Sequence, residues 1–352
     1  MSGLRIDRRT AMAGLAAGLV AGRASAQSPA PGWRVLPTEA YRGKQDDIHF
    51  VSPDIGWYGN GAGKLYRTLD GGESWTKIWE QPGTFIRALG FIDRRRGFLG
   101  NIGTDYFPTG TDPHPLYRTA DGGLTWTPVE AEGIGVVRGI CGIDVLRGGR
   151  IIHAAGRVGG PAAMLRSTDG GQSWRIRDLS AVAGMILDVK FFDARHGFLC
   201  AATSSDTEQA NALILHTQDG GETWAPVYRS ARRFENCWKM HFPTRRTGYA
   251  TVQNYEEGTS RRIIVKTEDG GGTWRELPLI DDASVREFGI GFADENWGWA
   301  GTSTSGFETR DGGRSWSPAE MGRAVNKIRI VRQGRRTRAF AIGAQVLRRD
   351  IG

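Results

Sequence analysis

From residue 33 onward, short apolar runs alternate with clusters of glycine, aspartate and serine. No run there carries the 3.6-residue period of an amphipathic helix. Lys64-Leu65-Tyr66-Arg67, Ala212-Leu213-Ile214-Leu215 and Ile263-Ile264-Val265-Lys266 are β-rich, and each leads into an eight-residue string ending in tryptophan. The first string is Thr68-Leu69-Asp70-Gly71-Gly72-Glu73-Ser74-Trp75; it recurs at 119–126, 167–174, 217–224, 267–274 and 309–316. Its aspartates, Asp70, Asp121, Asp169, Asp219, Asp269 and Asp311, stand 51, 48, 50, 50 and 42 residues apart, a period that belongs to repeat architectures.

Apolar runs joined by Asp-Gly-Gly read as a β-hairpin, because the glycines supply the positive φ angles such a turn needs. The aspartate is expected to accept turn N–H groups and the Ser/Thr hydroxyls. Trp75, Trp126, Trp174, Trp224, Trp274 and Trp316 are expected to cover the hairpins. That chemistry is structural. One carboxylate per turn is too few for the roughly six to eight oxygens calcium takes, so no metal and no cofactor is expected.

A second pair of runs lies upstream of most hairpins. Ile48-His49-Phe50 precedes Gly56-Trp57-Tyr58, and Leu89-Gly90-Phe91 precedes Gly97-Phe98-Leu99. Val189 to Phe191, Met240 to Phe242 and Ile290 to Phe292 stand in the same relation to Gly197, Gly248 and Gly298. Each repeat therefore offers four strands, A to D, with the Asp-Gly-Gly turn between C and D, which is the pattern of a propeller blade. A seventh unit shows only three strands, around 327–330, 339–342 and 345–348. The missing outer strand is assigned to Gly32-Trp33-Arg34-Val35-Leu36, whose Trp33 takes the place of the repeat tryptophan. The predicted fold is all-β: a seven-bladed β-propeller with four-stranded blades, its ring closed by the N-terminal strand pairing with the last blade.

The first 26 residues read as an address. Arg8-Arg9, an apolar stretch from Ala11 to Gly22 and the small-x-small site Ala24-Ser25-Ala26 make an export signal, leaving 27–352 as one domain. The paired arginines and weak hydrophobicity resemble a twin-arginine signal. Ala11 stands where a bulkier apolar residue is usual, which leaves the general secretory route open. An exported, periplasmic, soluble protein is expected.

Composition sharpens this picture. The 352 residues include 51 glycines, where average usage gives about 25, and 12 tryptophans, which excludes collagen and bulk disorder. The net charge is +8, and arginine supplies nearly all of the basic side chains. Cys141, Cys200 and Cys237 are odd in number and sit in apolar strand-like runs, so buried free thiols are expected.

The six S/T-x-D-x-G-x-S/T-W strings resemble Asp-box (BNR) repeats. From about residue 33 to 350 the chain resembles the photosystem II stability/assembly factor family of seven-bladed propellers. Asp boxes also occur in sialidases, xyloglucanases and sortilin-type receptors, so they specify a fold more than a function. The resemblance to the assembly factors implies a non-enzymatic scaffold whose partner is a protein, a membrane-complex subunit, and whose contact surface is rich in arginine. A monomer is expected.

The meander places A–B and C–D loops on one face. On it the A–B turns carry Arg94, Arg95 and Arg96, Arg147 and Arg150, Arg195 beside His196, Arg245 and Arg246, and Arg335 and Arg336. Guanidinium forks suit carboxylates, phosphates and anionic headgroups, so this ring is the candidate partner-binding surface. The bland alternative is that solvated turns in an arginine-rich chain carry arginine without purpose. The opposite face has long B–C insertions, Gly103 to Pro115 with Tyr106 and Phe107, Thr203 to Asn211, and Gln253 to Ser260 with Tyr255 and Glu256. Arg87, Arg138, Lys239 and Lys327 fall on strand A, near the central channel.

The enzymatic alternative is a sialidase-like or other glycoside hydrolase, or a carbohydrate-binding propeller. A sialidase resemblance requires Phe/Tyr-Arg-Ile-Pro near the first blade, and the chain has Phe85-Ile86-Arg87-Ala88. No G-x-S-x-G, H-E-x-x-H or P-loop occurs. Export and the lack of a basic element interleaved with aromatics argue against a nucleic-acid partner.

Overall fold

The structure is a computed structural model that describes residues 32–351; the export segment lies outside the described residues. Its strands form seven separate antiparallel sheets of four. In the first blade, A to D are Gln45–Phe50, Gly56–Asn60, Lys64–Thr68 and Thr76–Glu80. In the last, A to C are Lys327–Gln333, Arg336–Ile342 and Val346–Asp350. Its outermost strand is Arg34–Val35, with Arg34 opposite Arg348 and Val35 opposite Leu347. Each strand A packs against the next, and that of the seventh blade packs against that of the first, so the blades run in a circle. Asn326 Nδ2 donates to the Asp46 carbonyl at 2.7 Å across this joint. Only Ile134–Val136 and Thr207–Gln209 are helical among the described residues, each a single 3₁₀ turn.

No strand ladder connects one blade to the next; single backbone bonds, such as that from the Ile140 N–H to the Asn101 carbonyl at 2.8 Å, and packed side chains do it. An aromatic residue near the start of strand B stacks on the phenylalanine closing strand A of the following blade. Trp57 lies on Phe91 with ring centroids 3.7 Å apart, His153 on Phe191 at 3.5 Å, and Tyr249 on Phe292 at 3.6 Å. Phe340 meets Phe50 at 3.7 Å in the same way, across the closing joint. Such contacts are worth ~0.5–1.5 kcal/mol each beyond burial. The glycine that opens strand B makes room for them: a Cβ at Gly56, Gly97, Gly197, Gly248 or Gly298 would overlap the phenylalanine of its own strand A.

The repeat tryptophans pack edge-on to these rings, as Trp174 does to Phe98 with centroids 5.3 Å apart. Trp33 takes the same pose against Trp299 at 5.5 Å and is 3% exposed, so the N-terminal strand brings its own substitute for the missing repeat tryptophan.

Candidate partner-binding face and central channel

Each Asp-Gly-Gly turn is a closed hydrogen-bond unit. In the sixth, the Thr309 hydroxyl accepts the Gly313 N–H at 2.9 Å and donates to Asp311 at 2.9 Å. Asp311 also accepts the Arg314 and Ser315 amides and the Ser315 hydroxyl. Bonds from the Ser315 hydroxyl and amide hold its carboxyl down at about 2. Six such turns therefore keep six carboxylates ionised, with both oxygens engaged. Among the described residues no group of carboxylates, histidines or cysteines has metal-ligand geometry.

The turn has a second role that the sequence did not reveal. The N–H of its first glycine donates to the A–B turn of the same blade. Gly122 reaches the Arg95 carbonyl at 2.7 Å, Gly220 that of Arg195 at 2.8 Å and Gly270 that of Arg246 at 2.7 Å. The same bond joins Gly71 to Asp54, Gly170 to Arg150 and Gly312 to Asn296. The A–B turn is also capped from within: Asp93 accepts the amides of Arg95 and Arg96, and Asp193 those of Arg195 and His196. Each repeat turn is thus a pedestal for the arginine-bearing turn beside it.

All eight arginines of the expected ring are exposed on this face, and the structure divides them. Arg96 pairs with Asp93 at 2.8 Å, and Arg245 with Asp193 at 3.0 Å. Arg336 makes a two-pronged pair with Asp54, 2.9 Å on each arm. Arg195 and Arg246 donate to the carbonyls of Gln218 and Glu268. Arg94, Arg95 and Arg335 have no polar side-chain partner among the described residues, and Arg147 joins them. A shallow cavity of about 370 Å³ lies between Arg96, Arg150 and the third repeat turn.

The six turn aspartates share the arginine face, as the meander requires, so its potential is mixed. Among the described residues the four free guanidiniums have no carboxylate partner, and Arg150, Arg195 and Arg246 meet carbonyl oxygens instead. The opposite face has exposed arginines of its own, Arg42, Arg138, Arg233 and Arg323, scattered over D–A loops where no repeat pattern marked them.

Arg87, Lys239 and Lys327 do line the inside of the ring, between 2% and 4% exposed, whereas Arg138 is on the outside. They belong to a larger network. Lys327 Nζ lies 2.7 Å from Asp47 and Lys190 Nζ 2.8 Å from Asp144; Arg87 pairs with Asp46. The missed signal was spacing: Asp47/His49, Asp188/Lys190, Lys239/His241 and Lys327/Arg329 are i, i+2 pairs, which a strand puts on one side. Bulges in strand A, as between Ile186 and Asp188, re-aim these side chains. At the end away from the arginine turns, Trp238 packs beneath the Arg87 guanidinium at 5.0 Å, among Cys141, Leu187 and Phe288.

The aromatic loop joins this plug instead of projecting. Phe107 stacks on Phe85 with centroids 4.2 Å apart and Tyr106 leans on Phe107. Asp112, buried, anchors the loop by accepting from the Tyr117 hydroxyl at 2.8 Å. Tyr255 is covered by Arg286 at 4.4 Å and bonds Gln253, while the Glu256 carboxylate accepts from Thr259 and its amide donates to Asn254, both within its own loop. Burial pushes the Glu287 carboxyl up to about 8, the protonation state of a general acid, but Glu287 is 0% exposed. The three cysteines are buried and free, with Cys200 and Cys237 in contact across the fourth and fifth blades.

No family model matches the chain. A xyloglucanase from a Paenibacillus species is 28% identical over 200 residues, which cover 48% of this chain and 18% of that protein. The chain thus spans about a fifth of that relative's length. YCF48 bound to a D1 peptide superposes with a TM-score of 0.64 at 18% identity, over 93% of this chain and 96% of that one. YCF48 from Cyanidioschyzon merolae gives 0.65 at 17% identity, over 90% and 98%. A GH74 xyloglucanase from Xanthomonas campestris gives 0.63 at 17%, over 89% of this chain and 52% of that one. At these identities the likeness is one of fold.

Proposed function

We propose that the protein is an exported, non-enzymatic propeller scaffold that binds a protein partner, a subunit of a membrane complex, through the arginine face. The observation that carries this reading is the set of free guanidiniums, Arg94, Arg95, Arg147 and Arg335, each on a turn fixed by hydrogen bonds and none answered by a carboxylate. Because the turns are already fixed, meeting an acidic segment orders only the arginine side chains and not the backbone that carries them. Arg96, Arg195, Arg245, Arg246 and Arg336 complete the surface, and we read the six repeat turns as Asp boxes that hold it up. Similarity in fold to YCF48 bound to a D1 peptide supports the scaffold reading. Among the described residues no helix is long and apolar enough to cross a membrane.

A second reading, a polysaccharide-binding or hydrolysing propeller, is favoured by the sequence similarity to a xyloglucanase. Affinity capture from detergent-solubilised native membranes, run beside a xyloglucan hydrolysis assay on the same preparation, tests the two together. Stoichiometric recovery of one membrane-complex subunit with no released oligosaccharide is expected; release of oligosaccharide without a captured subunit reverses the assignment.

A further inference from the structure

The half of the central channel nearer the arginine turns holds a cavity of about 270 Å³, room for about nine waters at ~30 Å³ each. It is lined by Asp144, Asp188, Lys190, Lys239, His241, Lys327 and Arg329, with Ile143, Val189, Met240 and Ile290 between them. Four cations therefore face two carboxylates, with Asp47 standing behind Lys327 and Arg329.

These carboxylates are largely spent elsewhere. Asp144 accepts the Phe191 amide at 2.8 Å, and Asp188 the Met240 amide at 3.2 Å. Asp47 accepts the amides of Ile48 and Leu89 at 2.8 and 2.7 Å. Each therefore splints neighbouring strands as well as facing a cation. The cations keep donors in hand. Lys190 makes one bond of a possible three, to Asp144. Arg329 makes two, to the Ile48 carbonyl and Asp47. The Nδ1 of His241 accepts the Phe292 amide at 3.1 Å, which puts its proton on Nε2, and that atom has no partner among the described residues. Burial is the largest influence on Lys327 and pulls it down to about 7; Asp47 pulls the other way, and Lys239, Arg329 and Arg87 add to the lowering.

We propose that this cavity binds a small free oxyanion, of the size and charge of phosphate or a short dicarboxylate, held by Lys190, Lys239, Lys327, Arg329 and the His241 Nε2–H. The site does not depend on whether the outer face binds protein or polysaccharide. Lys190 and Arg329 are each about one-third exposed and form its entrance, at 37% and 33%.

Isothermal titration of the purified protein with inorganic phosphate and, separately, with succinate tests this, chloride holding ionic strength constant. Saturable one-to-one binding of at least one anion is expected, and the arm that responds names the ligand's class. Lys190→Met and Arg329→Gln should each weaken it about tenfold or more. Asp144→Asn, which frees Lys190, should tighten it, so a gain is sought as well as a loss. Circular dichroism establishes that each variant is folded. No saturable heat with either anion, or equal affinity in all three folded variants, overturns the proposal.

Discussion

Gly122 donates its backbone N–H to the carbonyl oxygen of Arg95 at 2.7 Å, tying the second repeat turn to the second arginine turn. The bond exists because Gly122 sits at φ +80, where a side chain is strained, and its Cβ position lies 2.8 Å from the Arg94 carbonyl. Gly122→Ala is therefore expected to cost ~1–2 kcal/mol from backbone strain, before any clash is relieved. Urea denaturation reads the loss. Amide hydrogen exchange should show faster exchange at 93–97 than in the equivalent turn at 193–197. A protection pattern unchanged in both turns would remove the pedestal role.

The closing strand makes a separate prediction. Trp33 is 3% exposed against Trp299, and Val35 pairs with Leu347, so the last blade has no outer layer without them. Trp33→Ala is expected to cost ~3–5 kcal/mol, the range for a large buried aromatic. Exchange should rise first in Val346–Asp350. A loss below ~1 kcal/mol, within the range of an ordinary surface substitution, would mean the strand decorates the ring without closing it.

Blade number, strand order and this closure were all legible in the sequence. Near-identical repeats fix local turns by residue type, and the count of strands left one place vacant for the segment at Trp33. Surface chemistry was less legible. The arginines of the A–B turns could be counted, but which of them are answered by Asp54, Asp93 and Asp193 depends on side chains that meet only after folding. The channel was half seen, because Lys239 and Lys327 stood out as charges within strands while their i+2 partners His241 and Arg329 were not read with them. The length of the aromatic loop could not reveal that Phe107 turns inward onto Phe85.

His153 makes a pH-dependent prediction. It is 0% exposed, stacked on Phe191, and neither ring nitrogen has a partner among the described residues. Burial, aided by Arg166 and Lys190 and opposed by Asp144, lowers its pKa to about 3 from the model-compound 6.5. The unfolded chain thus takes up a proton that the folded one refuses, so stability falls as pH drops below ~6.5, at ~1.4 kcal/mol per unit, until about pH 3. His153→Phe, which restores the aromatic found in the equivalent position of other blades, should flatten that slope and stabilise by ~1–3 kcal/mol at neutral pH. Denaturation midpoints at pH 7, 6, 5 and 4 check it; parallel curves for the two proteins would contradict the assignment.

The contact surface itself is tested by one comparison of affinities for the captured partner, measured by biolayer interferometry at two salt concentrations. One variant reverses the free cations of the arginine turns, Arg94→Glu, Arg95→Glu, Arg147→Glu and Arg335→Glu. The other reverses those of the far face, Arg42→Glu, Arg138→Glu, Arg233→Glu and Arg323→Glu. The first should weaken binding about a hundredfold, with the salt dependence largely gone, and the second should leave it within about threefold. Binding lost in the second variant and kept in the first would put the partner on the opposite face and contradict the account.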